Sequence, residues 1–181
     1  MGTATFKSDW FAVASVSRAE AEAVVKALYQ DLLGRAVDPD GLRTWSSRLM
    51  TGTSQSELVG TLTRSEEYVR LRITQAYQDV LGRAPEPAGM AHWYDRIMQG
   101  RASVDDVKRR FYDSQEYYLR SGGTDSGYIT LLYRTMFERE GSAQEITYWT
   151  SRIPTMGRGG VVDAIWFSRE AAMYRAGGYY Q

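Results

Sequence analysis

The chain predicts an all-α fold of about three fused helical repeats forming one compact array, each with a long helix, a Trp helix and a short helix. Three observations carry this. A Tyr-to-Trp segment of constant length recurs: Tyr29 to Trp45 reads Y-Q-D-L-L-G-R-A-V-D-P-D-G-L-R-T-W, Tyr77 to Trp93 reads Y-Q-D-V-L-G-R-A-P-E-P-A-G-M-A-H-W, and a fainter copy runs from Tyr133 to Trp149. Apolar residues around these segments recur at i, i+3 and i+4, the stripe of an amphipathic helix, and no stretch alternates as a strand does. Ser17 and Ser65 each stand twelve residues before their tyrosine, so whole units of about 50 residues repeat.

The elements follow in order. Residues 1–16 read as a lead with a short helix that Ser8 caps and that carries Trp10, Phe11, Val13 and Ala14. Unit one, 17–64, opens at Ser17-x-x-Glu20, a capping box in which serine and glutamate satisfy each other's free amides. Ala21, Val24, Val25, Leu28, Tyr29 and Leu32 form one face, and Gly34 ends the helix. Asp38 precedes Pro39, which pushes it into the extended backbone an N-cap needs. The Trp helix follows over Leu42 to Met50, with Leu42, Trp45 and Leu49 inward and Gly52 closing it. Ser54-x-x-Glu57 opens a short helix with Leu58, Val59 and Leu62.

Unit two, 65–113, repeats each device: Ser65, Gly82-Arg83, Pro87, Met90/Trp93/Ile97, Gly100, then Ser103-x-x-Asp106 before Val104, Val107 and Phe111. The helix from Ser65 to Leu81 is shared between neighbours, so adjacent units are expected to be fused rather than hinged. Unit three, 114–167, diverges. Ser121 to Gly127 breaks its long helix, Glu138 replaces the glycine before Arg139, and Ser142-x-x-Glu145 supplies the box. Pro154 and Gly157–Gly160 are expected to stop its Trp helix, leaving Val161 to Phe167 as the short companion. Residues 168–181 read as a partial helix and a frayed tail.

Composition excludes several classes of function. With 22 Lys plus Arg against 22 Asp plus Glu the net charge is zero, which leaves no electrostatic footprint for nucleic acid. The only lysines are Lys7, Lys26 and Lys108, so the cations are arginines, suited to planar carboxylate and aromatic contacts. Absence of cysteine excludes disulfides, zinc–thiolate sites and thiol catalysis. No apolar run reaches the roughly 18 residues of a membrane span, so no membrane insertion is expected. The Met-Gly start carries no apolar signal core.

Five constellations are candidates for function. Trp45, Trp93 and Trp149 align with aliphatic residues and read as core pins, a sugar-stacking indole being the alternative. Arg35, Arg83 and Arg139 follow the long helices, and Arg48, Arg96 and Arg152 stand one turn after each Trp, within reach of its ring. Recurrence in every unit marks Tyr29, Tyr77, Tyr133 and these arginines as scaffold, tying loop carbonyls or a neighbouring carboxylate, because a binding site is normally single. Asp38 and Asp40 resemble the start of a calcium loop, but the other units keep only the capping chemistry and too few oxygen ligands, so no metal or other cofactor is expected. His92, the single histidine, points about 100° away from Trp93 around the helix, toward solvent, and has no recurrent partner as a general base. With no Ser–His–acid set, phosphate loop or H-E-x-x-H motif, an enzyme is not expected. Tyr112, Tyr117, Tyr118 and Tyr128 gather where the repeat breaks, and tyrosine offers contact area at low entropic cost.

The pattern Y-Q-D-(L/V)-L-G-R-A, a Pro-x-Gly turn, Trp, Gly, then S-x-E-Y (Ser65 to Tyr68, Ser114 to Tyr117) resembles the bacterial family called domain of unknown function 4214, itself distantly similar to the helical linker domain of phycobilisomes. The resemblance covers roughly Ser17 to Tyr174 and is closest in units one and two. It implies a helical module often attached to secreted or surface-layer proteins and adhesins, sometimes beside calcium-binding repeats, with no settled activity and no catalytic residues. The expectation is a non-catalytic extracellular or cell-surface module for protein–protein interaction or envelope attachment. The alternative is an adhesin-like carbohydrate-binding module using exposed aromatics near 112–128.

Overall fold

A computed structural model describes residues 16–177, all of whose regular structure is helical. The short helix expected at Ser8 and the tail beyond Gly177 lie outside the described residues. The chain forms two compact units, one up to Val69 and one from Arg70 onward.

In the first unit, α1 (Arg18–Leu33) starts at the Ser17 box, where Glu20 accepts the Ser17 amide at 2.9 Å and the Ser17 hydroxyl accepts that of Glu20. α2 (Pro39–Met50) begins a turn earlier than its apolar pattern indicates, since Pro39 takes the first helical position and Asp38 Oδ1 accepts the Gly41 amide at 2.8 Å. α3 (Gln55–Thr63) is capped by the Ser54 hydroxyl on the Glu57 amide; the return arm expected from Glu57 is not made. Ala21, Val25, Tyr29 and Leu33 of α1 meet Leu49, Leu58 and Leu62 in the core, with Leu42 and Trp45 half-buried around them. Each fully buried Val or Leu contributes roughly 1.5–3 kcal/mol, so this stripe, rather than any polar contact, holds the unit together.

α4 (Glu66–Ala76) follows the Ser65 cap and passes into a π-helical turn over Tyr77–Leu81. The widened turn leaves the Val80 carbonyl for a side chain, and Arg120 Nη1 donates to it at 2.6 Å. The spacing after Ser65 does not foretell this, because the residue standing where Arg120 stands after Ser114 is Leu71. α5 (Pro87–Met98), α6 (Val104–Tyr112) and α7 (Gln115–Arg120) complete the second repeat, with a full capping box at Ser103 and Asp106. α8 (Asp125–Phe137) is capped by Thr124 and ends at Glu138, whose φ of 51° is the left-handed conformation that Gly34 and Gly82 supply in the earlier repeats. α9 (Ala143–Trp166) corrects the expected stop: Pro154 lies inside the helix, and only Gly157 (φ 69°, ψ 167°) leaves helical geometry. The Trp helix and its companion are thus joined at one break rather than parted by a loop. α10 (Arg169–Gly177) packs on α8 and α9 through Ala171.

The packing pins are the tyrosines. Tyr29, Tyr77 and Tyr133 are buried, whereas Trp45, Trp93 and Trp149 are only half-buried, a correction to their expected place in the core. The reason is geometric. In the first two repeats the tyrosine hydroxyl lies against the glycine of the following Pro-x-Gly turn, and in the third the indole reaches back to it, Trp149 Nε1 donating to the Tyr133 hydroxyl at 3.0 Å. At Gly89 the Tyr77 hydroxyl and the Glu86 carboxylate occupy the side-chain space, and at Gly41 Asp38, Val37 and Tyr29 crowd it less closely. A methyl group at Gly89 would overlap the Tyr77 hydroxyl, whereas one at Gly41 would stand 3.3 Å from the Tyr29 hydroxyl.

Gly89→Ala is therefore expected to cost about 1–3 kcal/mol by overpacking, more than Gly41→Ala, with Tyr77→Phe restoring part of the loss. Equal costs at the two glycines in urea titrations would show that the hydroxyl does not set the turn.

Candidate functional site

The arginines after the long helices are fully committed. Arg35 grips both Glu67 oxygens, with Nη2 at 2.8 Å, donates to the Ala36 carbonyl, and lies over the Tyr29 ring. Arg83 does the same with Glu116 at 2.6 and 2.9 Å, the Ala84 carbonyl and Tyr77, and adds Glu86. Arg139 reaches Glu170, Glu145 and the Glu140 carbonyl over Tyr133. Glu67, Glu116 and Glu170 each occupy the third position of the Ser-x-Glu start of the next long helix. The arginine thus clasps the end of one long helix to the beginning of the next.

The arginines after each Trp diverge from the expected stacking. Arg48 does lie over Trp45, at 4.9 Å. Arg152 lies over Tyr148 instead of Trp149, and Arg96 turns toward an open cleft. Asp38 is occupied by its cap and Asp40 by Arg43 at 2.6 Å; among the described residues no cluster of three or more His, Asp or Glu is arranged to hold a metal ion.

The tyrosine cluster is core. Tyr112, Tyr117 and Tyr128 are buried, and Tyr118 is half-buried beneath Arg158, whose guanidinium sits 4.2 Å from the ring centre. The Tyr128 hydroxyl donates to the Tyr112 carbonyl at 3.0 Å, and the Tyr117 hydroxyl shares a 2.7 Å bond with Thr135. Burial pushes the Tyr112 phenol up to about 12 and those of Tyr117 and Tyr128 further in the same direction. No exposed aromatic platform therefore forms from these rings. The break at Ser121–Thr124 lets α8 turn back along α6 and α7, and the tyrosines fill the space between them.

What the second unit does expose is a cleft of about 480 Å³, a size typical of small-ligand sites. His92, Trp93 and Arg96 of α5, the Arg101–Ala102 turn, Asp106, Arg109 and Arg110 of α6, Asp113 just after it, and Gly159, Val162 and Asp163 of α9 line it. Arg109 braces its floor, donating to Asp106 and, at 2.7 Å, to Asp163, with Phe167 against its face. Asp106 is held down to about 2, first by the Ser103 amide and hydroxyl and then by Arg109. Gly159 admits the Asp113 carboxylate, which would stand 2.9 Å from a side chain there. Arg96, Arg101 and Arg110 are exposed and have no carboxylate partner among the described residues. Sequence reasoning missed this site because α9 contributes one wall, Asp163 standing 54 residues beyond Arg109. The available signal was non-recurrence: counted from the capping serines, Arg109 and Arg110 replace Gly60 and Thr61.

Helices throughout, with the capped starts, Gly-Arg loops and Trp helices repeated, define an all-α repeat module. The chain belongs to the family described as Domain of unknown function (DUF4214), whose model matches residues 3–72 and again 73–121. No curated protein matches the chain.

Tyr128→Phe is expected to cost about 1–2 kcal/mol through its lost buried hydrogen bond, lowering the melting temperature by about 2–6 °C for a chain of this size. A melting temperature equal to wild type would place Tyr128 outside the core network.

Acid stability provides a second check. Glu145 is held down to about 2 mainly by Arg139, and Asp106 likewise by Ser103. Because both folded values lie below the ordinary carboxylate range, their stabilisation is complete above about pH 5 and is lost as pH falls toward 2. Glu145→Gln should flatten this decline in denaturation curves measured from pH 5 to 2; an unchanged slope would sever Glu145 from it.

Proposed function

We propose that the chain is a non-catalytic attachment module of the cell surface or extracellular space, and that it holds an envelope component in the cleft of its second unit. The observation that carries this reading is the uneven use of arginine. Arg35, Arg83, Arg109 and Arg139 are locked into ion pairs, whereas Arg96, Arg101 and Arg110 stand unpaired around one concave site. A guanidinium with no internal partner adds little to folding, and its planar fork suits recognition of an external anion. The arrangement binds rather than turns over: His92 is exposed with its ring edge-on to Trp93 at 5.0 Å, and the acids of the floor serve as cap and brace. The resemblance to modules of secreted and surface-layer proteins supports the location.

Arg96→Gln/Arg110→Gln should leave stability within about 0.5 kcal/mol of wild type, as exposed substitutions usually do, while co-sedimentation of the purified chain with isolated envelopes of its own organism falls at least tenfold. Co-sedimentation equal to wild type would remove the cleft as the attachment site.

A further inference from the structure

We infer that the cleft of the second unit is a site for an acidic sugar, a carboxylated saccharide that presents a carboxylate and free hydroxyls together. This rests on the reading of the cleft as the attachment site and names the chemistry that the site recognises.

The lining is mixed rather than uniformly basic. Arg96, Arg101 and Arg110 offer unpaired donors to an anion. Asp113 and Asp163 face the same space, and only one Asp163 oxygen is engaged, by Arg109. A phosphate-rich or otherwise uniformly anionic ligand is attracted by the arginines and repelled by these carboxylates. A ligand with one carboxylate and several hydroxyls satisfies both: its carboxylate takes guanidinium forks, and its hydroxyls donate to Asp113 and Asp163. Trp93 supplies the apolar surface on which the C–H face of a sugar ring rests. Its ring is fixed edge-on between Phe111 at 5.8 Å and His92 at 5.0 Å, so little side-chain freedom is lost on binding. The floor is equally preset, since Arg109 links α6 to α9 through Asp106 and Asp163.

The test is calorimetric titration of the full chain with trigalacturonate, against the neutral galactose trimer, hexaglutamate and inorganic phosphate. Trigalacturonate should bind at least tenfold more tightly than the other three. Arg96→Gln/Arg110→Gln and Trp93→Leu should each weaken it at least fivefold. Asp113→Ala separates sugar recognition from simple charge attraction: loss of an acid strengthens a purely electrostatic anion site and weakens one that accepts sugar hydroxyls. Melting temperatures of all variants identify any that fail to fold, and Arg101→Gln, in the exposed turn, gives a second reading of the anion contact if Trp93→Leu is among them. Equal binding of hexaglutamate or phosphate, equal binding of the neutral trimer, or tighter binding by Asp113→Ala overturns the proposal. If trigalacturonate does not bind but envelope association still depends on Arg96 and Arg110, the sugar assignment fails and the attachment site stands; if neither depends on them, both fail.

Discussion

Everything in each repeat is referred to the arginine that follows its long helix. Arg83 lies over the Tyr77 ring, closes its own loop through the Ala84 carbonyl, and grips Glu116 with two parallel bonds. One side chain thereby relates the end of a long helix, the turn leading to the Trp helix, and the start of the next long helix. Lysine has neither the fork nor the flat face for this. That requirement accounts for arginine at Arg35, Arg83 and Arg139. Arg35 repeats the arrangement on Glu67, and Arg139 directs two donors to one oxygen of Glu170. In the third copy, where Glu138 stands in place of glycine, Glu145 supplies the second carboxylate that Glu86 supplies to Arg83.

Magnitudes separate what the clasps do from what the core does. Their side chains are about 40–50% exposed, and exposed ion pairs contribute about 0.2–1 kcal/mol each. Buried residues such as Val25, Leu58, Ile73, Ile129 and Ile165 contribute roughly 1.5–3 kcal/mol apiece. The apolar stripes therefore decide whether the helices pack, and the clasps decide where each next helix begins. The tyrosines connect the two roles, with ring edges in the core and a guanidinium over one face.

The helical stripes, capping serines, Pro39 and Pro87 at first helical positions, and the Gly34 and Gly82 ends were all legible because they are local: each depends on residues within a turn or two. What was not legible is long-range. Nothing near Tyr77 announces that its turn widens, since Arg120, which bonds the Val80 carbonyl there, stands 40 residues further on. Nothing near Trp93 announces that Arg96 lines a cleft, since α9 supplies one of its walls. The tyrosines at 112–128 were conspicuous for departing from the repeat, yet departure there served packing: once the long helix breaks, an extra helix must be covered, and buried rings with bonded hydroxyls cover it.

The break at Gly157 in α9 accounts for the cleft of the second unit. The short helix of nine residues after each of the first two Trp helices, α3 and α6, presents one apolar face to its own repeat. The outer face of α6 meets α9, because Gly157 redirects that helix just before Arg158. Arg158 then fastens the redirected segment by lying over Tyr118 and donating to Gln115 at 3.0 Å. With a second wall supplied, positions that are plain surface in the first repeat become the lining of a cavity, and substitutions there acquire a chemical consequence. Gly60 and Thr61 have become Arg109, which braces the wall, and Arg110, which remains uncommitted. Repetition supplies a rigid frame whose loop arginines, Arg35, Arg83 and Arg139, are consumed by it; the diverged copy supplies the wall that brings Arg96, Arg101 and Arg110 around one cleft.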